Sequence, residues 1–470
     1  MATRQSADRR SSKAARPAAP TAADTRRKKV ALLARLMRNA AHCVVVTGAG
    51  VSTNAGLRDY RGPNGIWTEA EARGEVVGEP GAAGGATPWD EAFYRLMPSV
   101  QPTLTHRSLT ALVRAGVVKH VVTQNEDGLH RRAGMPAEAL SELHGSAFVE
   151  LCGKYEEGDS DSDLGSSSSS ESEEEDSSSS SSPAEDQPAN PEGGQSAKEL
   201  KAAAKAKALS EAKAAAKLVR QEIAAEVALA KRLRPAGCGA QVVRDFVTYY
   251  PDTYLRSNPY GRHVTGRVCP RCRAAAAAAP AAAGGGAKEG AGWLVDSTVD
   301  FGETPGGFPW GKNSVHRVEA AKAHMQLADL VVVWGSSLSV LANYFDPWCP
   351  SSKWAAPPPR GLRKAAAAGG KKRGRDVAPC LLAIVGRGKV LDEEMAVVKI
   401  EEDVDIVAEE LLSLLGMPPP PPYSHASDPL LLAAEQPFEG EPAAPWRICA
   451  VPPAGGSAEE SADKGVCASM

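Results

Sequence analysis

Four groups of residues in this 470-residue sequence could do chemistry. The first is the turn Thr47-Gly48-Ala49-Gly50-Val51-Ser52-Thr53-Asn54-Ala55-Gly56, directly after the apolar run Cys43-Val44-Val45-Val46. Glycines in that place let a backbone approach a pyrophosphate, because no Cβ stands in the way. Thr53 occupies the position where the dehydrogenase fingerprint has its third glycine, and no isolated acid follows about 20 residues on to hold a ribose, which counts against hydride transfer. The turn leads into Leu57-Arg58-Asp59-Tyr60-Arg61-Gly62-Pro63-Asn64-Gly65-Ile66-Trp67. A glycine-rich loop carrying Asp59, Tyr60, Arg61 and Trp67 suits a mobile lid over a nucleotide; a surface loop with an incidental ion pair is the plainer alternative.

The second group, Thr123-Gln124-Asn125-Glu126-Asp127-Gly128-Leu129-His130, ends a valine-rich run. The amides of Gln124 and Asn125 and the carboxylate of Asp127 could bind a ribose or an amide, although Asn, Asp and Gly are also what tight turns use. Third is His144, followed by Gly145. A neutral imidazole can take a proton from a hydroxyl near physiological pH, while a lone histidine is more often a satisfied core or surface residue. The fourth group is Cys269-Pro270-Arg271-Cys272. With nine cysteines and no apolar signal-peptide core at the N-terminus, reduced thiols are expected, so this close pair reads as metal ligation rather than a disulfide.

Short buried strands and amphipathic helices must position these groups. Leu32, Leu33, Leu36 and Met37 share one helical face; Cys43–Val46, Val117–Thr123, Trp293–Phe301, Leu330–Trp334 and Leu381–Val385 read as strands. His316–Leu327 and Asp403–Leu415 read as helices, the latter with Val404, Ile406, Val407, Leu411 and Leu412 as its apolar set. The strand Leu330–Trp334 ends in Gly335-Ser336-Ser337, a second strand, glycine turn and helix pattern. Alternating strands and helices predict an α/β, Rossmann-like parallel sheet with helices on both faces, which binds ligands at the carboxyl ends of its strands.

Composition limits how much of the chain builds that sheet. The 43% hydrophobic content is swollen by alanine, and aromatics reach only 5%, so one core with disordered insertions and tails is expected. The predicted organisation is a basic disordered tail at 1–29, the first part of the α/β domain at 30–151, and a cysteine module at 152–273. That module contains an acidic and Ala/Lys-rich insertion at about 156–236. An Ala/Gly linker follows at 274–292, then the second part of the α/β domain at 293–416, interrupted at 355–376, and a disordered tail at 417–470. A net charge of −3 gives no bulk-charge case for nucleic-acid binding, although basic and acidic blocks are segregated. No apolar run approaches the roughly 20 residues that cross a bilayer, so no membrane partner is expected.

In chain order GAGVSTNAGLRDYRGPNGIW, TQNEDGLH, ELHG, CPRC, VDFGE and GSSLSV resemble the sirtuins, the NAD-dependent protein-lysine deacylases. RGPNGIW and WCP look most like their nuclear, sirtuin 6 and 7 type, class. The resemblance covers roughly residues 30–350 and extends more loosely to 415. It implies that Gly48, Ala49, Gly50 and Ser52 hold the dinucleotide phosphates and that the Asp59, Tyr60, Arg61 and Trp67 loop folds over the nicotinamide ribose. Asn125 and Asp127 would form the nicotinamide pocket with Gln124 on the ribose, and Gly335, Ser336 and Ser337 would take the adenosine half. His144 would be the catalytic base. Val299, Phe301 and Gly302 would line the acyl-lysine site, where the peptide adds a strand. One structural Zn2+ would be held by Cys152, Cys238, Cys269 and Cys272, with the insertion lying between the first two. Cys349 is the spare ligand, and a broken three-cysteine site is the alternative.

Two departures stand out. Arg58 replaces the proline usual in the lid, and Gly386, after the last strand, stands where an adenosine-binding asparagine is common. The resemblance implies acyl transfer from a modified lysine to ADP-ribose with nicotinamide release, acting on histones or other nuclear proteins, with chromatin or nucleic-acid contact through basic tails. The alternatives are a weakly active chromatin or nucleolar scaffold and a mono-ADP-ribosyltransferase. Basic clusters at Arg26–Lys29 and Lys371–Arg375 point to the nucleus, and an Arg- and Ser-rich N-terminus leaves an organelle transit peptide open.

Overall fold

The structure, a computed structural model, describes residues 21–62, 65–74, 91–152, 207, 237–247, 263–278, 292–299, 305, 310, 314–341, 380–436 and 447–448. Phe301, Gly302, Cys349, Pro63, Asn64, nearly all of the insertion and the interruption at 355–376 lie outside the described residues.

Among the described residues ten strands form two sheets: β1 (Cys43–Thr47), β2 (His120–Thr123), β3 (Leu140–Glu142), β4 (Val149–Cys152), β5 (Gln241–Val243), β6 (Val264–Val268), β7 (Trp293–Asp296), β8 (Leu330–Trp334), β9 (Leu381–Val385) and β10 (Val398–Ile400). The larger sheet runs β10-β9-β8-β1-β2-β3 and every pair in it is parallel. Its central strands, CVVVT and LVVVW, are buried along their whole length, as strands covered on both faces must be. The register sets Thr47 beside Trp334 and Trp334 beside Val385, so the chain leaves three neighbouring strands at one level.

Nine helices complete the described fold: α1 (Ala22–Asn39), α2 (Ile66–Ala72), α3 (Glu91–Leu96), α4 (Leu104–Arg114), α5 (Leu129–Arg132), α6 (Pro270–Ala278), α7 (Val318–Leu327), α8 (Val404–Leu415) and α9 (Pro429–Ala433). Four are capped by side chains that satisfy first-turn amides: Thr21 for α1, Thr103 for α4, Asp403 for α8 and Asp428 for α9. Strand alternation then sorts the core. Cys43, Val45, Val332, Trp334 and Ala383 pack with α1, α4 and α8, whereas Val44, Val46, Val331, Val333 and Ile384 pack with α7. Helices therefore cover both faces, as the alternating pattern predicts.

The smaller sheet is antiparallel, in the order β5-β4-β7-β6. At its centre Glu150 of β4 is fully buried and accepts from Arg244 (2.7 Å) and Arg267 (2.5 Å). Those bonds compensate the desolvation of the charges.

Six expectations need correction. Residues 21–29 are not tail but the first turns of α1, where Arg26 pairs with Glu402 and Glu410. β2 begins at His120 rather than Val117, because the Val117 and Val118 amides both donate to Leu112 and close the end of α4. Trp293–Asp296 does not open the second part of the parallel sheet; it lies between β4 and β6 in the small one. That strand stops at Asp296, whose carboxylate accepts from the Thr298 amide and hydroxyl and turns the chain before Phe301. Ala274–Ala278, read as linker, continues α6. Finally, 417–436 and 447–448 are not tail: Asp428 and Leu430 are buried, and Ile448 packs in the same cluster as Leu430.

Several histidines are buried neutral. Burial, with smaller contributions from His324, Arg317 and His42, lowers His120 to about 3. Burial alone takes His130 to about 3 and is the main cause that drives His106 well below its ordinary value. The unfolded chain protonates these groups near 6.5 and the folded one does not, so the unfolded state binds more protons below that pH. Stability should be intact above about pH 6.5 and fall as pH drops toward 3, by roughly 1.4 kcal/mol per histidine between pH 7.5 and 5.5. Urea unfolding at the two pH values measures this, and His120→Gln should reduce the loss.

Candidate active site

The carboxyl ends of β1, β2, β8, β9 and β10 converge through backbone hydrogen bonds. Gly48 N–H donates to Trp334 O (3.3 Å), Gly50 N–H to Gly335 O (2.8 Å), Gly335 N–H to Val385 O (2.9 Å), Gly386 N–H to Ile400 O (3.0 Å) and Gln124 N–H to Thr47 O (3.1 Å). The two glycine turns lie in direct contact. A Cβ on Gly48 would sit 2.8 Å from Ser336 Cβ, and one on Gly50 would sit 2.8 Å from Gly335 Cα. Gly335 also has φ +63° and would place a Cβ 2.6 Å from the Val51 nitrogen. No side chain fits there, which is why backbone lines this part of the cleft.

Side chains tie the second group to the first. Ser52 Oγ donates to Asp127 Oδ2 (2.6 Å), and Asn125 Nδ2 donates to Ser52 Oγ and to Gly48 O, both at 3.1 Å. Ser336 Oγ donates to Gln124 Oε1 (2.7 Å), which joins the β8 turn to the β2 turn. Asp127 is buried, and its other oxygen accepts from the Leu129 amide at the start of α5 (2.9 Å). Burial raises its carboxyl above the usual range; the bonds from Ser52 and Leu129, the charge of Arg132 and the Asn125 amide oppose that rise.

The lid loop folds back on itself. Asp59 O accepts from Ile66 N–H, Tyr60 O accepts from Trp67 N–H, and Asp59 Oδ1 accepts from Gly62 N–H. Arg61 stacks over the buried Trp67 ring at 4.5 Å and donates to Ser339, whose hydroxyl is 2.8 Å from that of Ser337. The lid thus reaches the β8 turn. Arg58 points elsewhere, pairing at 2.7 Å with exposed Glu69 on α2.

His144 leaves the β3 end. Leu143 N–H donates to Thr123 O (2.9 Å), and Val299 N–H donates to His144 O (3.0 Å), so the segment expected to bind acyl-lysine begins beside the histidine. Gly145, at φ +85°, lies so close to the Ser297 carbonyl that no Cβ fits. Ser297 Oγ in turn donates to Ser146 O and accepts from Ser146 N–H. Burial lowers the His144 imidazole to about 4, partly offset by a hydrogen bond between its ring and the Gln124 backbone. The imidazole is therefore neutral, and able to accept a proton, at neutral pH.

The four cysteines meet at one end of the small sheet, all sulfurs within 4.8 Å of one another. Cys152 and Cys272 sulfurs are 3.7 Å apart, as are those of Cys238 and Cys269. A tetrahedron with Zn–S bonds of about 2.3 Å has edges of roughly 3.8 Å, so the donor set and spacing fit one structural zinc. Cys238, about 86 positions after Cys152, completes the set, as the resemblance implies. Gly292 packs against the Cys152 sulfur and leaves no room for a Cβ.

Some contacts within the site carried no sequence signal. Thr47 Oγ1 meets His130 Nε2 at 3.0 Å beneath the first turn, and Tyr94 donates to Glu126 at 3.3 Å. Asn54 donates to Asp403, tying the first turn to the cap of α8 (2.9 Å). Gly386 adopts φ +139°, a conformation side chains rarely take, and its neighbour Arg387 pairs with Glu402.

Comparison with known proteins bears out the sirtuin resemblance. The Sir2 family model matches residues 48–189. NAD-dependent protein deacetylase sirtuin-7 of Rattus norvegicus is 46% identical over 126 residues, 27% of this chain and 27% of that protein. NAD-dependent protein deacylase 2 of Pyrobaculum aerophilum is 37% identical over 124 residues, 26% of this chain and 49% of its own length. The chain thus spans about a quarter to a half of the curated relatives it matches. A solved structure described as Sir2 bound to acetylated peptide aligns over 83% of this chain and 100% of its own at 17% identity, with a TM-score of 0.38.

Two outcomes follow. Gly335→Ala should cost at least about 1 kcal/mol more than Gly416→Ala, because both have positive φ but only Gly335 meets backbone; thermal melts of the two variants decide it. Metal analysis of the purified chain should find about one zinc per molecule, and Cys238→Ser should lose it.

Proposed function

We propose that this chain, whose residues 48–189 match the Sir2 family model, is an NAD-dependent protein-lysine deacylase of the sirtuin 6 and 7 type. The observation that carries the reading is the contact of three strand-end turns, Gly48–Gly50, Gln124–Asp127 and Gly335–Ser337, beside a neutral histidine. NAD supplies a glycosidic bond whose cleavage releases nicotinamide and leaves the ribose carbon open to the acyl oxygen of the modified lysine.

The chain's own residues bind and orient. The turn Gly48, Ala49 and Gly50, whose two glycines leave the backbone without a Cβ, takes the phosphates with Ser52; Gly335, Ser336 and Ser337 take the adenosine half. Asn125 and Asp127, held to Ser52, present an amide and a carboxyl to nicotinamide, and Gln124 faces the ribose. The Asp59, Tyr60, Arg61 and Trp67 loop closes over that end and excludes water. His144 accepts a proton from a ribose hydroxyl, which lets the acyl group move onto ADP-ribose. Val299, with Phe301 and Gly302 beyond it, borders the acyl-lysine. Overall, acyl-lysine, NAD and water give lysine, nicotinamide and O-acyl-ADP-ribose.

The substrates proposed are acylated lysines of histones or other nuclear proteins, and the location the nucleus. Support comes from the basic clusters, of which Arg27 and Lys28 are exposed on α1 while Arg26 is held by two glutamates.

Nicotinamide release from NAD should depend on an acetylated histone-type peptide. His144→Ala should lower it by about 100-fold or more while the chain stays folded and zinc-loaded. Release at the parental rate in the variant would contradict the assignment.

A further inference from the structure

The segment after α8 crosses the molecule and reaches the Asp127 loop from behind. Arg107 donates to Pro421 O (2.7 Å), so the strap first lies on α4. Asp428 then meets Arg132, and both side chains are completely buried. Arg132 uses its whole fork: Nε to Asp428 Oδ2 (3.0 Å), Nη1 to Val100 O (2.6 Å) and Nη2 to the Tyr423 hydroxyl (2.8 Å). Tyr423 closes the ring by donating to Asp428 Oδ2 (2.6 Å). The other Asp428 oxygen caps α9 through the Leu430 amide, and Leu430 packs with Leu129 and Phe148. Farther on, Glu435 N–H donates to Val243 O and Arg244 donates to Glu435 O, so the strap ends on the edge of the small sheet.

Arg132 sits at the end of α5, four residues long, whose first amide donates to Asp127 Oδ1. So short a helix does not hold its own orientation; tertiary contacts impose it. Gly128, before it, has φ +67° and leaves no room for a Cβ beside the Phe148 ring, so the turn cannot shift toward that side. α5 is further held by His130 against Thr47, by Arg131 against Glu142 and, at its last residue, by the ring of Arg132, Asp428 and Tyr423.

We propose that Asp428 and Tyr423 are positioning residues for the Asp127 loop, acting through Arg132 and α5, so that the segment at 417–436 is part of the nicotinamide end of the active site. This rests on the deacylase reading for the role of Asp127, but the positional claim stands on its own. An aligned α5 amide holds one Asp127 oxygen, which frees Ser52 to hold the other; loosening the ring lets the carboxyl drift.

The test uses the full chain with Tyr423→Phe, Asp428→Asn and Asp428→Glu, and Leu411→Ala as a destabilised control in the α8 core. Hydrogen exchange is followed in peptides covering 124–129 and 330–334. Tyr423→Phe and Asp428→Asn should speed exchange at 124–129 several-fold and leave 330–334 unchanged. Asp428→Glu should restore most of the protection, and Leu411→Ala should not act selectively on the loop. With NAD and an acetylated peptide, the same two variants should weaken nicotinamide inhibition several-fold while the KM for peptide stays near the parental value. Unchanged exchange at 124–129 in Asp428→Asn, or an equal loss across both peptides, would overturn the proposal. An inactive parent showing the selective exchange effect would remove the deacylase reading and leave the positioning role standing.

Discussion

The site depends on one close approach, backbone against backbone at the ends of β1 and β8. Gly50 donates to Gly335 O, and a Cβ on either glycine would fall inside the other's backbone. Because the central strands are parallel and in level register, this contact brings two turns that are 285 residues apart into one cleft. The Ser52 hydroxyl and the side-chain amides of Gln124 and Asn125 then have fixed neighbours to bond to. Remove the approach and those side chains keep their chemistry but lose their common target.

Chemistry and core were the legible parts of the sequence. Short, valine-rich runs such as CVVVT and LVVVW, each stopped by a glycine, read as strands buried on both faces, and the glycine turn directly after each is readable as a ligand end. The four cysteines were legible only through the resemblance, since spacing alone joins Cys269 to Cys272 and says nothing of Cys152 and Cys238. The small sheet was not legible. Trp293–Asp296 has the pattern of any buried strand, and its partners, including Glu150 between two arginines, are set by pairing across a long insertion.

The ends of the domain were misread for a related reason. Arg26 and Asp428 are charged residues in proline- or basic-rich surroundings, where composition argues for solvent. Each is held by a partner more than 290 residues away, Glu402 or Glu410 in one case and Arg132 in the other. Local pattern cannot show a long-range ion pair, and buried arginine with a complete set of acceptors is the form in which such a pair persists. The same holds for the histidines: nothing local in the sequence marks His120 or His130 as buried, yet burial keeps both neutral.

The central claim, that this cleft moves an acyl group from lysine to ADP-ribose, is tested most directly by product identity. Mass spectrometry of a reaction holding the chain, NAD and an acetylated lysine peptide should find ADP-ribose carrying the acetyl group, in equal amount to free-lysine peptide and nicotinamide. Free acetate formed without NAD consumption, or ADP-ribose attached to protein with the acetyl-lysine intact, would contradict it.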